Sequence, residues 1–341
     1  MPGNWFSIVF GIPYCIPVLF LSMNIESIPS SAVLAAERIR SHIRETPLEH
    51  SPYFSTLTGA NVWLKLENLQ TTGSFKLRGA CNKLLSLSPD EVSAGCVAAS
   101  SGNHGAATAY TMSKLGIKGV VFVPEWASSA KVDAIRRAGA TVQHFGTDGL
   151  DTEEHARQYA IDNAMTYVSP YNDADVIVGQ ASCGVEIAKQ IDNVDTLFVA
   201  VGGGGLIAGV SGFLRSVNPR MQVIGCQPTA APIMAASIKA GRLLDMPSES
   251  TLSDGTAGAI EAGAITFDLC QKLVDDYAVV PEDEIALAMR EFIDAHHMLL
   301  EGAAGVALAG LKQFSEHCQG QNVVVIICGA NINRDTLRKI I

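Results

Sequence analysis

A single lysine, Lys76, closes the stretch LENLQTTGSFK and opens the helical pattern LRGACNKLL. An amine held on a short loop at the mouth of a helix, partly out of water, is set up as a nucleophile and base rather than as a surface charge. Two other stretches supply what such a lysine would need. In FVAVGGGGLIAG, Gly202, Gly203, Gly204 and Gly205 lie between a predicted strand and a helix beginning near Leu206. Backbone free of side chains lets several N–H groups converge on one anion, and a helix N-terminus adds positive partial charge. The run lacks the Gly-Lys-Ser/Thr of a Walker loop and is not a clean GxGxxG turn, so it reads as a phosphate cradle that uses no lysine. The plain alternative is a tight strand–helix turn, but successive glycines make that costly in backbone entropy. In AASSGNHGAATAY, a strand ending at Ser100 runs through Ser101, Gly102, Asn103 and His104 into a helix. Hydroxyls, an amide and free N–H groups at that point suit a small anion such as a carboxylate, or serve simply as a helix cap. A phosphorylated aldehyde lodged in the glycine loop would bring its carbonyl to Lys76 and form a Schiff base there.

The elements that must hold these groups follow from hydrophobic patterning. GCVAAS, KGVVFVP and TVQHF read as strands, and HGAATAYTMSKLG and SSAKVDAIRRAGA as the helices between them. DTLFVAVGGGG, MQVIGCQP and QNVVVIICGAN repeat the pattern later in the chain. Val- and Ile-rich runs separated by helices predict parallel sheets covered on both faces. The two series predict an α/β protein of two three-layer domains with a cleft between them.

Bulk properties agree. The chain has 341 residues, 48% hydrophobic and 17% charged, with 31 glycines, which suits a compact α/β enzyme of two domains. A net charge of −10 argues against a nucleic-acid or anionic-membrane partner. Eight cysteines without a CxxC pair read as reduced thiols of a cytoplasmic protein, not as a disulfide frame or a zinc site. Residues 1–22, which include WFSIVFGIPYCIPVLFLS, are apolar but match neither a secretory signal nor a membrane span. They are expected to be a dispensable extension outside the fold, with a membrane anchor as the alternative. An ordinary enzyme start follows at Met23, with a helix capped by Ser30 or Ser31. The chain stops soon after VVVIICGANINRDTLRKII, so no appended regulatory domain is expected.

GSFK, SSGNHG and VGGGGL, in this order and supported by TPLEHSP and CGANIN, resemble the fold type II, tryptophan-synthase-β-like pyridoxal-phosphate enzymes. The nearest branch is that of threonine/serine dehydratases and serine racemase, and the resemblance covers roughly residues 24–341. It implies a large cofactor domain made of residues 23–95 plus 171–341, with a small domain, 96–170, inserted. It implies that Lys76 carries pyridoxal 5'-phosphate as a Schiff base and that Phe75 packs against the ring. Asn103 would bond the ring hydroxyl. Gly202 to Gly205 and the Leu206 amide would hold the phosphate, and Cys328 would face the pyridine nitrogen. Ser100, Ser101, Gly102, Asn103 and His104 would bind the substrate carboxylate, and Asn172 would line the site. A neutral thiol at Cys328 makes a weaker electron sink than an aspartate would, which suits fast β-elimination; without the resemblance, Cys328 would read as a packing cysteine.

The activity this implies is β-elimination from L-threonine or L-serine, giving a 2-oxo acid and ammonia. The alternatives are serine racemisation, for which Ser101 would be the second proton carrier, a dehydratase or racemase of the 3-hydroxyaspartate type, and a non-catalytic pyridoxal-phosphate carrier. A homodimer is expected. Racemase-branch members carry a divalent-cation site that uses a glutamate before a proline and an aspartate six residues later. Gln227 and Ile233 stand at those positions, so no metal is expected here.

Overall fold

The computed structural model describes residues 23–341 apart from Asp148; the expected extension lies outside the described residues. Ten strands form two sheets: β1 (Leu48–His50), β2 (Asn61–Lys65), β3 (Cys96–Ala99), β4 (Gly119–Val123), β5 (Thr141–His144), β6 (Thr166–Tyr167), β7 (Thr196–Ala200), β8 (Gln222–Pro228), β9 (Asp276–Val280) and β10 (Asn322–Ile326). The larger sheet has the order β1-β2-β10-β7-β8-β9, and the smaller β5-β4-β3-β6. All pairings are parallel except the antiparallel edge pair β1–β2. The last strand, β10, therefore lies inside the large sheet, with Val324 opposite Trp63 of β2 on one side and Leu197 of β7 on the other.

The physical reason for parallel pairing is visible in burial. β7 is buried along its whole length and β10 over Val323–Ile326, which only a sheet covered on both faces allows. Helices Ala174–Gln190 and Gly205–Val217 pack on each other, and helix Gly302–Gln313 packs against β7, β8, β9 and β10. One apolar core runs through this sheet, and a separate one, including Val121, Val123, Val132 and Ile135, sits beside the small sheet.

Three details differ from the sequence reading. The first helix begins at Ile28, not after Ser30 or Ser31, and is preceded by a 3₁₀ turn, Ile25–Ser27, capped by the Asn24 side chain. Pro29 is the reason: proline fits the first turn of a helix, where its missing N–H costs nothing, so the helix starts ahead of it. β3 ends at Ala99, and the following helix already starts at Asn103, so Asn103 and His104 belong to a helical first turn rather than to the loop before it. β2 and β9 carry no clear strand signal. β2 ends in Lys65, a lysine with no exposed surface, and charge in a run masks a buried strand.

Lys65 is buried because it belongs to an ionic cluster beneath the site. Its Nζ donates to Glu186 Oε2 at 2.6 Å and to the Thr46 carbonyl at 2.7 Å. Arg78, also fully buried, donates to both oxygens of Glu67 at 2.7 and 2.8 Å and to both of Glu186 at 2.7 Å. Two cations and two carboxylates thus cancel in the interior, every one hydrogen-bonded, which is the condition for burying charge at all. The neighbouring Arg78 guanidinium holds the Glu67 carboxyl below the usual range against the opposing effect of burial. The cluster ties helix Lys76–Leu85 to helix Ala174–Gln190 two residues from Lys76 itself.

Candidate active site

Lys76 is the first residue of its helix, and Phe75 caps it. The loop before it is pinned to the far end of β10: Phe75 N–H donates to the Cys328 carbonyl at 3.0 Å, and Ser74 bridges Gly329. Lys76 Nζ donates to the Pro170 carbonyl at 2.8 Å and lies 5.3 Å from the centre of the Phe75 ring. Burial of the amine lowers its pKa to about 8, although the negative charges of Glu301 and Glu153 push the other way. A lysine in this state has a much larger neutral, nucleophilic fraction near neutrality than a surface lysine.

The glycine loop follows β7 and opens helix Gly205–Val217. Gly204 adopts φ +86, which favours glycine. Gly203 is required by contact: a Cβ there would sit 2.3 Å from Tyr171 Cγ. Leu206 is buried in the first turn. Beside Gly204 stands Thr266, fully buried, whose hydroxyl makes no hydrogen bond among the described residues. A helix N-terminus, a loop that no side chain fills and an orphaned buried hydroxyl together fit a phosphate group. The hydroxyls of Thr72 and Ser74, in the loop before Lys76, are buried and orphaned in the same way.

Cys328 follows β10, is 2% exposed, and its Sγ lies 4.0 Å from Glu301 Oε1. Burial raises its pKa well above the ordinary thiol value, and the Glu301 charge adds to this, so it stays a neutral thiol. Glu301 precedes helix Gly302–Gln313 in the position of a cap, yet its side chain makes no capping bond. Instead it accepts from Asn103 Nδ2 at 2.8 and 2.9 Å and from the Asn331 N–H at 3.1 Å. Asn103 Oδ1 in turn accepts from Asn331 Nδ2 at 2.7 Å. Burial raises the Glu301 pKa. The structure thus brings Asn103, Cys328 and Lys76 around one buried carboxyl that the sequence reading missed. Its only signal in sequence is a lone acid in the apolar run LLEGAAGVALAG.

Ser100 and Ser101 lie in the loop between β3 and helix Asn103–Leu115, where Ser100 Oγ accepts from the Gly102 N–H at 3.1 Å. The helix's first N–H groups have no carbonyl of their own helix to bind, leaving them for an anion. The His104 imidazole is not among the groups that face outward. It is 3% exposed and bonded to the Val168 carbonyl at 2.8 Å, and burial pushes its pKa down to about 3. His104 can therefore offer a ligand only its backbone. Asn172 accepts through Oδ1 from the Ile265 N–H at 2.9 Å, next to Thr266.

Gln227 is fully buried at the end of β8. Its Nε2 donates to the Val201 carbonyl, immediately before the glycine loop, at 2.9 Å, and its Oε1 accepts from the Ala235 N–H at 2.8 Å. Ile233 is buried at the start of the next helix. The described residues contain no grouping of three His, Cys, Asp or Glu side chains suited to a metal ion, and no helix among them is long and apolar enough to cross a membrane. The seven described cysteines are all buried and free.

The family model described as pyridoxal-phosphate dependent enzyme matches residues 39–329, a span that includes Lys76, both anion loops and Cys328. The chain belongs to this family. It is 39% identical over 303 residues to the L-threonine dehydratase catabolic TdcB of Staphylococcus aureus, covering 88% of this chain and 87% of that one. It is 36% identical to the chloroplastic Threonine dehydratase 1 biosynthetic of Solanum lycopersicum but spans only 49% of that protein's length. Among solved structures, the serine racemase of Dictyostelium discoideum superposes with a TM-score of 0.84 at 33% identity, over 89% of this chain and 98% of that one.

Proposed function

We propose that this protein removes water and then ammonia from a small β-hydroxy amino acid, L-threonine or L-serine, leaving a 2-oxo acid. The observation that carries the reading is the convergence on one cleft of a lysine with a lowered pKa, an empty-sided glycine cradle with an orphaned hydroxyl, and a neutral buried thiol. The similarity to threonine dehydratases over most of the chain supports it.

Lys76, Phe75, Asn103, Gly202 to Gly205, Leu206, Thr266 and Cys328 would hold pyridoxal 5'-phosphate. When bound, the cofactor supplies the electron sink that makes a Cα proton removable. Ser100, Ser101, Gly102 and the first N–H groups of helix Asn103–Leu115 hold the substrate carboxylate. Lys76, with its amine free, takes the Cα proton, and its depressed pKa keeps it deprotonated often enough to do so near neutral pH. The Cys328 thiol, kept neutral by burial, would offer the cofactor ring a hydrogen bond without a full charge, which would favour elimination over prolonged carbanion chemistry. Glu301 positions Asn103 and limits its freedom to rotate. The hydroxyl leaves as water with the equivalent of the proton taken from Cα; the released enamine takes a proton at Cβ from solvent and becomes an imine, and water attacks its carbon to give the 2-oxo acid and ammonia.

Racemisation is the second reading. Ser101 carries a partly exposed hydroxyl on the loop before Asn103, and the fold likeness to a serine racemase supports a proton carrier there. A panel of L- and D-hydroxy amino acids, scored for 2-oxo acid and for change of chirality, decides between the two. Wild-type protein should form 2-oxo acid from L-serine or L-threonine, and Lys76→Ala should lose both the cofactor absorbance and at least a thousandfold in turnover. A Lys76→Ala protein that stays yellow and active would overturn the assignment.

A further inference from the structure

The segment Tyr167–Asn172 passes the reactive amine, and the groups packed around it define a second, charged cluster. Lys76 Nζ is bonded to Pro170. The ring of the next residue, Tyr171, lies against Gly203 of the cradle, and its hydroxyl accepts from the Glu261 N–H at 2.9 Å. Two residues before Ser169, the Tyr167 ring lies 4.3 Å under the Arg157 guanidinium. Arg157 donates to Glu153 at 2.7 Å and also pairs with Glu261. Glu153 and Arg157 come from helix Gly149–Asp162 of the small-sheet region; Glu261 comes from the loop before helix Ile265–Leu273. One cation thus faces two carboxylates, a net charge of −1, and the Glu153 charge reaches the Lys76 amine. Glu261 Oε1 and the Tyr167 hydroxyl are buried there with no hydrogen-bond partner among the described residues.

We infer that Glu153 and Glu261 set the substrate class: this cluster admits amino acids whose side chain is neutral and hydrogen-bonding and rejects those with a second carboxylate. The inference rests on the proposed elimination and narrows it. A substrate carboxylate near the cluster meets excess negative charge in a partly desolvated cleft. Arg157 does not rescue it, because recruiting Arg157 would strand Glu153 or Glu261 unpaired. A neutral β-hydroxyl pays no such cost. Specificity here comes from repulsion of the wrong ligand as much as from attraction of the right one.

The test compares kcat/KM for L-serine and L-threo-3-hydroxyaspartate, which differ by one carboxylate, in the wild-type holoenzyme and in Glu153→Gln and Glu261→Gln. Wild type should favour serine at least tenfold, and each variant should raise the hydroxyaspartate-to-serine ratio about tenfold, mainly through KM. The ratio cancels any change in Lys76 basicity, because that acts on both substrates alike. Equal use of the two substrates by wild type, or a ratio unmoved in both variants, overturns the inference. A protein that turns over neither substrate refutes the elimination itself. The inference is then read by titrating the cofactor absorbance with L-serine and L-aspartate: weaker binding of aspartate that recovers in the Gln variants supports it, and equal or tighter binding in wild type overturns it.

Discussion

Gly203→Ala is the sharpest perturbation of the phosphate cradle. A Cβ at this position would lie 2.3, 2.4 and 2.6 Å from Cγ, Cδ1 and Cδ2 of Tyr171. Carbon atoms in contact settle near 3.5 Å, so the ring or the loop has to retreat by about 1.2 Å. Overpacking of this kind costs about 1–3 kcal/mol. Moving the ring also breaks its bond to the Glu261 N–H, worth about 0.5–1.5 kcal/mol. The loop escapes the clash by swinging away, and holding a phosphate forces it back, so the cost falls on cofactor affinity. The expected loss is about 2–4 kcal/mol, roughly 30- to 1,000-fold in Kd. Gly203 is not among the glycines with positive φ, so alanine carries no backbone penalty there. In a Tyr171→Ala background the obstacle is gone, and the same substitution should cost less than about tenfold. The assay is titration of each apoprotein with pyridoxal 5'-phosphate, followed by absorbance. Equal losses in the two backgrounds would refute the reasoning, because the methyl would then be colliding with something other than the Tyr171 ring.

Two further predictions follow from titration and from the missing carboxylate at Gln227. The neutral form of Lys76 should appear with a midpoint near pH 8 in the apoprotein, so the rate of cofactor capture rises with pH through that value and then levels off; stopped-flow absorbance measures it, and a midpoint at the ordinary lysine value of 10.5 would contradict the role of burial. Activity should be the same in chelator and in added magnesium with monovalent cations held constant, because the Gln227 amide offers no charge and is already bonded to Val201 and Ala235; several-fold activation by magnesium that is lost on substitution at Gln227 would contradict this.

What could be read in advance was local. β3, β4, β7, β8 and β10 announce themselves as apolar runs, because a strand buried on both faces has no polar side to show, whereas β5, an exposed edge strand, is legible only from its place in the strand–helix alternation. Lys76 and the glycine loop were legible because their chemistry is written in adjacent residues. Glu301, Arg157 and Glu261 were not, because each gains its meaning from a partner far away in the chain, and Thr266 was not, because only the fold places it beside Gly204. Asn103 reaches Glu301 across 198 residues and Arg157 reaches Glu261 across 104. β2 was hidden for a related reason: Lys65 looks like a surface residue until Glu186 is placed against it. His104 marks the boundary between ring and backbone. A histidine in a polar loop motif suggests a ligand, but its imidazole turns inward to Val168.

The place of β10 inside the large sheet has a consequence for how the protein is made. A ribosome delivers β2 and β7 long before it delivers Asn322–Ile326, the strand that joins them. Until then β1-β2 and β7-β8-β9 are two unjoined fragments, each with an open parallel edge, and Cys328, which receives the Phe75 N–H of the lysine loop, does not yet exist. The nascent chain therefore carries sticky edges until β10 is made. The active site cannot close before β10 is in place, so competence to take up the cofactor waits on that strand.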